Sequence, residues 1–172
     1  MPIQFGPLDE NENRAAFSCG EPALDDWFHN RATQDQRRGI ARVFVARDEN
    51  LGIVGFYSLS AFSIEANDLP EHIARKLPRY NAIPAALIGR LARDLRMRGK
   101  NFGEQLAVDA IERLIDTSHQ LGIYAIIVDA KHDRASAFYQ SLGFQPFPSR
   151  RLRLFLTIAT ALQARVEASS ET

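Results

Sequence analysis

The run RGKNFG at 98–103 is where residue types and spacing first offer chemistry. It follows a strand-like stretch ending at Asp94 and opens a long helical pattern from about Asn101. At such a junction the first N–H groups of the helix lack partners and point outward. The helix dipole favours negative charge at that end. Arg98 and Lys100 add formal positive charge, so the residues describe an anion site. The run has neither the GxxxxGK[ST] of a phosphate-binding loop nor the GxGxxG of a dinucleotide fold, which disfavours nucleotide hydrolysis and NAD binding. Gly99 and Gly103 as plain turn residues are the other reading of the same letters.

The remaining reactive side chains are isolated. His132 follows a strand-like run but reads as a lone exposed histidine, and Glu65, His29, His72 and His119 have no distinguishing neighbours in sequence. Cys19, in the dipeptide Cys19-Gly20, reads as part of a turn before a helix. A single cysteine excludes an internal disulfide and a multi-thiolate zinc site, and it suits a reducing compartment. No metal centre is expected.

The elements that must position the loop follow from periodicity. Glu21-Pro22 starts a helix with Asp25 and Asp26 in its first turn, and Leu24, Trp27, Phe28 and Arg31 carry it toward Gly39. Residues 41–47 and 53–64 read as strands of a hairpin turned at Asp48-Glu49-Asn50. Residues 67–82 are polar with two prolines and room for one short helix. A third strand spans 86–94. Leu106, Ala107, Ala110, Ile111, Leu114 and Ile115 then mark one helix face from Gly103 to about Gln120. Residues 124–130 are a nearly continuous apolar run, as a strand buried on both faces requires. A short helix at 133–142, capped by Asp133 and closed by Gly143, and a strand at 152–158 complete the chain. This order implies an α/β fold, a central mixed sheet flanked by helices, with a right-handed crossover through the 98–103 loop.

Composition allows such a fold. The chain has 172 residues, 45% of them hydrophobic and 24% charged. A chain of that length hides about 70% of its unfolded surface, enough for a core without staples. Disordered chains, which combine low hydrophobicity with high net charge, are excluded. The opening residues show no basic and apolar leader, and no apolar run is long enough to span a membrane. The expectation is one soluble, cytoplasmic domain over residues 1–172. Its 21 basic and 21 acidic residues cancel, but they are segregated: residues 1–26 carry −5, residues 31–42 +3, residues 90–100 +4, and Arg150, Arg151 and Arg153 form another +3 cluster. Local fields of that kind attract phosphates whatever the global sum.

The loop resembles the Q/R-x-x-G-x-G/A pyrophosphate loop of the GNAT superfamily of acetyl-CoA-dependent N-acetyltransferases. DRASAFYQSLGF at 133–144 resembles that superfamily's A-x-x-F-Y-x-x-x-G-F segment, in the expected order and at the expected distance. FSCGEPALDDWFHNRA at 17–32, ARVFVA at 41–46, GFYSLS at 55–60 and GRLARD at 89–94 are similar to the branch that contains toxins of toxin–antitoxin pairs. Two departures are plain. The glycine usual at the fourth loop position is Asn101, the residue type that best tolerates positive φ after glycine, and Arg93 stands where many relatives carry valine.

The resemblance implies the GNAT fold, acetyl-CoA as co-substrate and direct transfer to the α-amino group of aminoacyl-tRNA, which blocks translation. It assigns the cofactor to Leu91, Ala92, Arg93, Arg98, Gly99, Lys100, Asn101, Phe102 and Gly103, with amides of 91–93 as oxyanion donors on a bulged strand. Tyr139 becomes the general acid, and Arg37, Arg38, Arg150 and Arg151 become tRNA contacts. A ribbon-helix-helix antitoxin and a second copy of the chain are the implied partners. No base is required, because an α-amino group titrates near 7.7–8.0. Two alternatives stay open: the same chemistry on a small amine, peptide or protein N-terminus, and a non-catalytic module that binds acetyl-CoA or an antitoxin.

Overall fold

A computed structural model describes residues 2–79 and 82–171. The strands are β1 (Gln4–Pro7), β2 (Arg42–Asp48), β3 (Gly52–Ile64), β4 (Ile83–Arg93), β5 (Ala125–Asp129), β6 (Gln145–Phe147) and β7 (Arg150–Thr157). The helices are α1 (Pro22–Asn30), α2 (Ala32–Arg37), α3 (Glu71–Ala74), α4 (Phe102–Thr117), α5 (Asp133–Ser141) and α6 (Ile158–Ser170). They fall into two compact units. The first comprises the chain up to Ser60 together with Ile88–Ala110, the second Ala61–Leu87 together with the chain from Ile111.

In the first unit the strands follow the order β1-β2-β3-β4. Asp48 closes the β2–β3 hairpin, its carboxylate accepting from the amides of Asn50 and Leu51 at 2.8 and 2.9 Å. Val45 and Ala46 are neighbours on β2 but belong to different apolar clusters, so this part of the sheet is covered on both faces. One cluster gathers Phe17, Trp27 and Phe28 around Phe56, with the Phe28 and Phe56 rings stacked at 4.2 Å. The other seats Phe102 and Leu106 of α4 on Ala46 and Val54. The approach is close. A Cβ on Gly55 would stand 2.9 Å from both Leu106 and Phe102. The Tyr57 hydroxyl donates to Asp109 at 2.6 Å and ties the same helix to β3.

In the second unit the order runs from β4 through β5 and β7 to β6. β4 and β5 are neighbours joined through α4, the long connection that a parallel pair needs. β7 then pairs antiparallel with β5, Ala125 opposite Thr157 and Asp129 opposite Arg153. Residues 125–128 are all buried, as the continuous apolar run implied. Ala125 and Ile127 join Ile64, Leu69, Ile83, Phe147 and Phe155 in a separate core.

Several elements differ from the sequence reading. The first helix is broken at Arg31, whose φ of −125° interrupts it and turns Ala32 fully into the core. β4 begins at Ile83 rather than 86, and β7 starts at Arg150 rather than 152. β1, β6 and α6 add to the expected elements. The cap of α5 is His132, whose Nδ1 accepts from the Ala135 amide at 3.1 Å, and Asp133 lies one residue inside the helix.

Candidate active site

The 98–103 loop owes its position to a carboxylate. Asp94, 2% exposed, ends β4 and accepts from the amides of Ser18 (3.1 Å) and Arg96 (2.8 Å) and from Arg96 Nε and Nη2 (2.8 and 2.9 Å). Burial alone would raise its pKa. The hydrogen bonds from the Arg96 side chain and from the two amides outweigh that and hold the carboxyl below its ordinary value. Arg96 also reaches the Leu51 carbonyl at 3.2 Å, so the turn leaving β4 is clamped to the β2–β3 hairpin. In the sequence Arg96 is marked only by its charge.

Beyond that clamp the backbone turns left-handed twice, at Gly99 (φ +75°) and Asn101 (φ +57°). The tolerance of asparagine for this region is thus used. The Asn101 side-chain Nδ2 donates to the Glu104 carboxylate at 2.6 Å and fastens the loop to the first turn of α4. Arg98, Gly99, Lys100 and Asn101 are exposed, and Phe102 is buried as the anchor of the helix start. A Cβ added at Gly103 would meet nothing within 4 Å, so the helix start is open for an anion to approach its amides. These features fit a pyrophosphate group.

The amides of β4 can be oriented from one bond. The Asp94 N–H donates to the Val54 carbonyl on β3 at 2.9 Å. Alternation along a strand then directs the Ala92 N–H to β3 and the N–H groups of Leu91 and Arg93 away from it. Ala92 itself is buried with Trp27 and Phe28.

Tyr139 lies in the second unit, on α5, edge-on to Phe138 at 5.1 Å and to Phe144 at 5.5 Å. Burial pushes its pKa up to about 12. Among the described residues nothing hydrogen-bonds its hydroxyl, so the donor is uncommitted. Cys19 is unsuited to nucleophilic work, because burial raises the thiol to about 11. His132 is committed to capping α5. Among the described residues no group of His, Cys, Asp or Glu could hold a metal ion. No helix among them is long and apolar enough to cross a membrane.

The basic clusters resolve unequally. The acidic first segment neutralises part of the 31–42 cluster: Arg37 pairs with Glu10 at 2.6 Å and Arg31 with Asp26 at 3.3 Å. Arg47 is held by Glu12 in the same way. Of the 90–100 cluster, Arg96 is spent on Asp94, and Arg90 lies over the Trp27 ring at 4.2 Å. That leaves Arg93, Arg98 and Lys100 around the loop. Arg151 is paired with Asp133, and Arg153 grips Asp129 at 2.7 and 2.9 Å. Arg150 and Arg151 border a cavity of about 380 Å³ with Asp129, Ala130 and Leu152. Arg38 and Arg150 are exposed and have no ion-pair partner among the described residues.

No protein-family model matches the chain. It is 39% identical over 163 residues, 90% of each chain, to "Probable toxin TacT" of Sinorhizobium fredii. It is 36% identical over 155 residues, 90% of this chain and 91% of the other, to a "tRNA-acetylating toxin" of Mycobacterium tuberculosis. Among solved structures, AtaT complexed with acetyl-methionyl-tRNAfMet superposes with a TM-score of 0.87 at 27% identity, covering 95% of this chain and 99% of that one. AtaTR bound with AcCoA gives 0.81 at 27% identity, covering 94% and 97%.

Proposed function

The chain belongs to the tRNA-acetylating toxins of the GNAT fold, and from that premise we propose that it transfers the acetyl group of acetyl-CoA to the α-amino group of an aminoacyl-tRNA. The observation that carries the cofactor assignment is the loop with left-handed Gly99 and Asn101 at the open start of α4. The whole chain is read as one transferase domain working in the cytoplasm, where charged tRNA is found.

Acetyl-CoA, when bound, supplies a thioester carbonyl that an amine attacks with loss of the coenzyme A thiolate. The chain's own residues do the rest. Amides of 99–103, with Arg98 and Lys100, hold the pyrophosphate. The Leu91 and Arg93 amides receive the negative charge that grows on the carbonyl oxygen. Tyr139, protonated throughout the physiological range, donates to the departing sulfur. The proton lost by the attacking amine replaces the one that Tyr139 gives up, so charge balances. An α-amino group titrating near 7.7–8.0 is partly neutral at pH 7 and needs no strong base.

Of the four arginines assigned to the tRNA backbone, Arg38 and Arg150 have no ion-pair partner among the described residues, and Arg37 and Arg151 are released to it only by giving up Glu10 and Asp133. That pairing is the specific observation favouring a second reading, the same transfer to a small amine, peptide or protein N-terminus. A ribbon-helix-helix antitoxin and a second copy of the chain are the proposed protein partners. The deciding experiment incubates the protein with radiolabelled acetyl-CoA and bulk charged tRNA, with deacylated tRNA as control. Label on charged tRNA alone is the expected result. Label absent there but present on polyamines or peptides would establish the second reading.

A further inference from the structure

Three polar or charged side chains are buried among the described residues: Ser58, Asp94 and Ser136. Asp94 holds the loop, and Ser136 accepts from Gln140 within α5. The hydroxyl of Ser58, 1% exposed on β3, has one hydrogen-bond partner among the described residues, and it is a backbone group: the Arg90 N–H donates to it at 3.0 Å. Stepping back in pairs from the Asp94–Val54 bond places Ala92 opposite Phe56 and Arg90 opposite Ser58. A regular ladder aims the Arg90 N–H at the main-chain carbonyl of Ser58. The Ser58 hydroxyl reaches the same N–H from the side-chain direction. Gly89 makes room for this. A Cβ there would lie 3.1 Å from the Ser58 hydroxyl oxygen, although Gly89 itself faces solvent. The device therefore has three parts: a buried hydroxyl, the missing side chain that admits it, and the amide it captures. It stands immediately before Leu91–Arg93.

We propose that Ser58 is a positioning residue: its hydroxyl, admitted by Gly89, holds the Arg90 amide on the β3 side and so fixes the line along which the Leu91 and Arg93 amides meet the thioester carbonyl. The proposal rests on the acetyl-CoA reading above. It gives an uncharged, buried serine a part in the reaction without contact to any substrate. Arg90 is secured at its other end as well, its guanidinium packed over Trp27. The strand is thus held on both sides of one peptide unit.

The test compares wild type with Ser58→Ala, Gly89→Ala and the double variant. Each is measured for coenzyme A affinity by calorimetry, for kcat and KM, and for the carbonyl stretch of bound 1-¹³C-acetyl-CoA by isotope-edited infrared difference spectroscopy. In wild type the bound stretch should lie below its free value, since two amides polarise the carbonyl. Ser58→Ala should return it toward the free value and lower kcat by about 10–100-fold, with coenzyme A affinity and KM unchanged. Gly89→Ala, made at an exposed position, should displace the hydroxyl and act in the same direction. The double variant should be no worse than Ser58→Ala alone. An unchanged carbonyl stretch in folded Ser58→Ala would overturn the proposal, as would additive losses in the double variant. If Ser58→Ala does not fold, Gly89→Ala decides by the same spectrum. Wild type that binds acetyl-CoA with an unshifted carbonyl refutes the positioning role, whereas wild type that binds no acetyl-CoA refutes the cofactor reading itself.

Discussion

Replacing Asp94 by asparagine isolates what the buried carboxylate contributes, because shape is kept and charge is lost. Oδ1 accepts from the Arg96 amide and Nε, and Oδ2 accepts from the Ser18 amide and Arg96 Nη2. An asparagine can present one oxygen to one of these pairs, so whichever way it turns, its NH₂ faces two donors. One of those donors is a backbone N–H, worth about 1–3 kcal/mol when left unsatisfied in a buried place. The other belongs to Arg96, whose side chain is 35% exposed and can turn to water, which limits its share. A total of about 3 kcal/mol corresponds to a fall in Tm of roughly 6–12 °C for a chain of this size. Thermal unfolding followed by circular dichroism measures it directly. The pH dependence supplies the control. The carboxyl is held below its unfolded value near 3.9, so its stabilisation is present above that value and is lost as pH falls through the lower folded value. The gap between wild type and Asp94→Asn should be constant from pH 5 to 8 and narrow below about pH 4. A loss under about 1 kcal/mol, or a gap unchanged at pH 2, would refute the part given to the Asp94 carboxylate in clamping the loop.

Three further outcomes are expected. Tyr139→Phe should lower kcat by about 10²–10⁴-fold, and the wild-type rate should rise with pH up to the pKa of the acceptor amine and then stay flat, with no falling limb below about pH 11, because burial holds the phenol near 12; stopped-flow pH profiles would expose an earlier decline. Asn101→Gly should retain acetyl-CoA binding, whereas Asn101→Val, forced to φ +57°, should cost about 1–2 kcal/mol and weaken acetyl-CoA in calorimetry. Arg38→Glu and Arg150→Glu should each lower the log–log salt slope of tRNA binding by about 1 or more; Arg37→Glu, whose partner Glu10 already occupies the guanidinium, should change it less, and equal effects from all three would show that the pairing is irrelevant to RNA.

What could be read without coordinates was whatever short-range pattern dictates. The hairpin turned at Asp48, the apolar run of β5, and the amphipathic helix after the 98–103 loop follow from neighbouring letters and are found where expected. The left-handed loop position was legible from the resemblance, which puts a glycine at the fourth loop position, together with the tolerance of Asn101 for positive φ. β1 and β6 were not, because they are four and three residues long and carry Gly6, Pro7 and Pro146, residues that argue against a strand. α6 has no sequence signature because only Ala161 is buried among its described residues, so the helix has no apolar stripe. Charge was misleading in a specific way. Arg37 finds Glu10, 27 residues away in sequence, and Arg47 finds Glu12, 35 residues away, pairings that no local pattern announces. Ser58 and Gly89 are likewise 31 positions apart, and either residue alone is unremarked in a strand.

Gly55 has a consequence for the thermodynamics of ligand capture. With Leu106 and Phe102 pressed against the bare backbone of β3, the start of α4 has no slack in which to slide or tilt. The amides that face an incoming pyrophosphate are therefore oriented once, when the chain folds. Binding there should carry little ordering entropy, and the affinity of the loop should fall if a side chain at position 55 lifted the helix by even a fraction of an ångström.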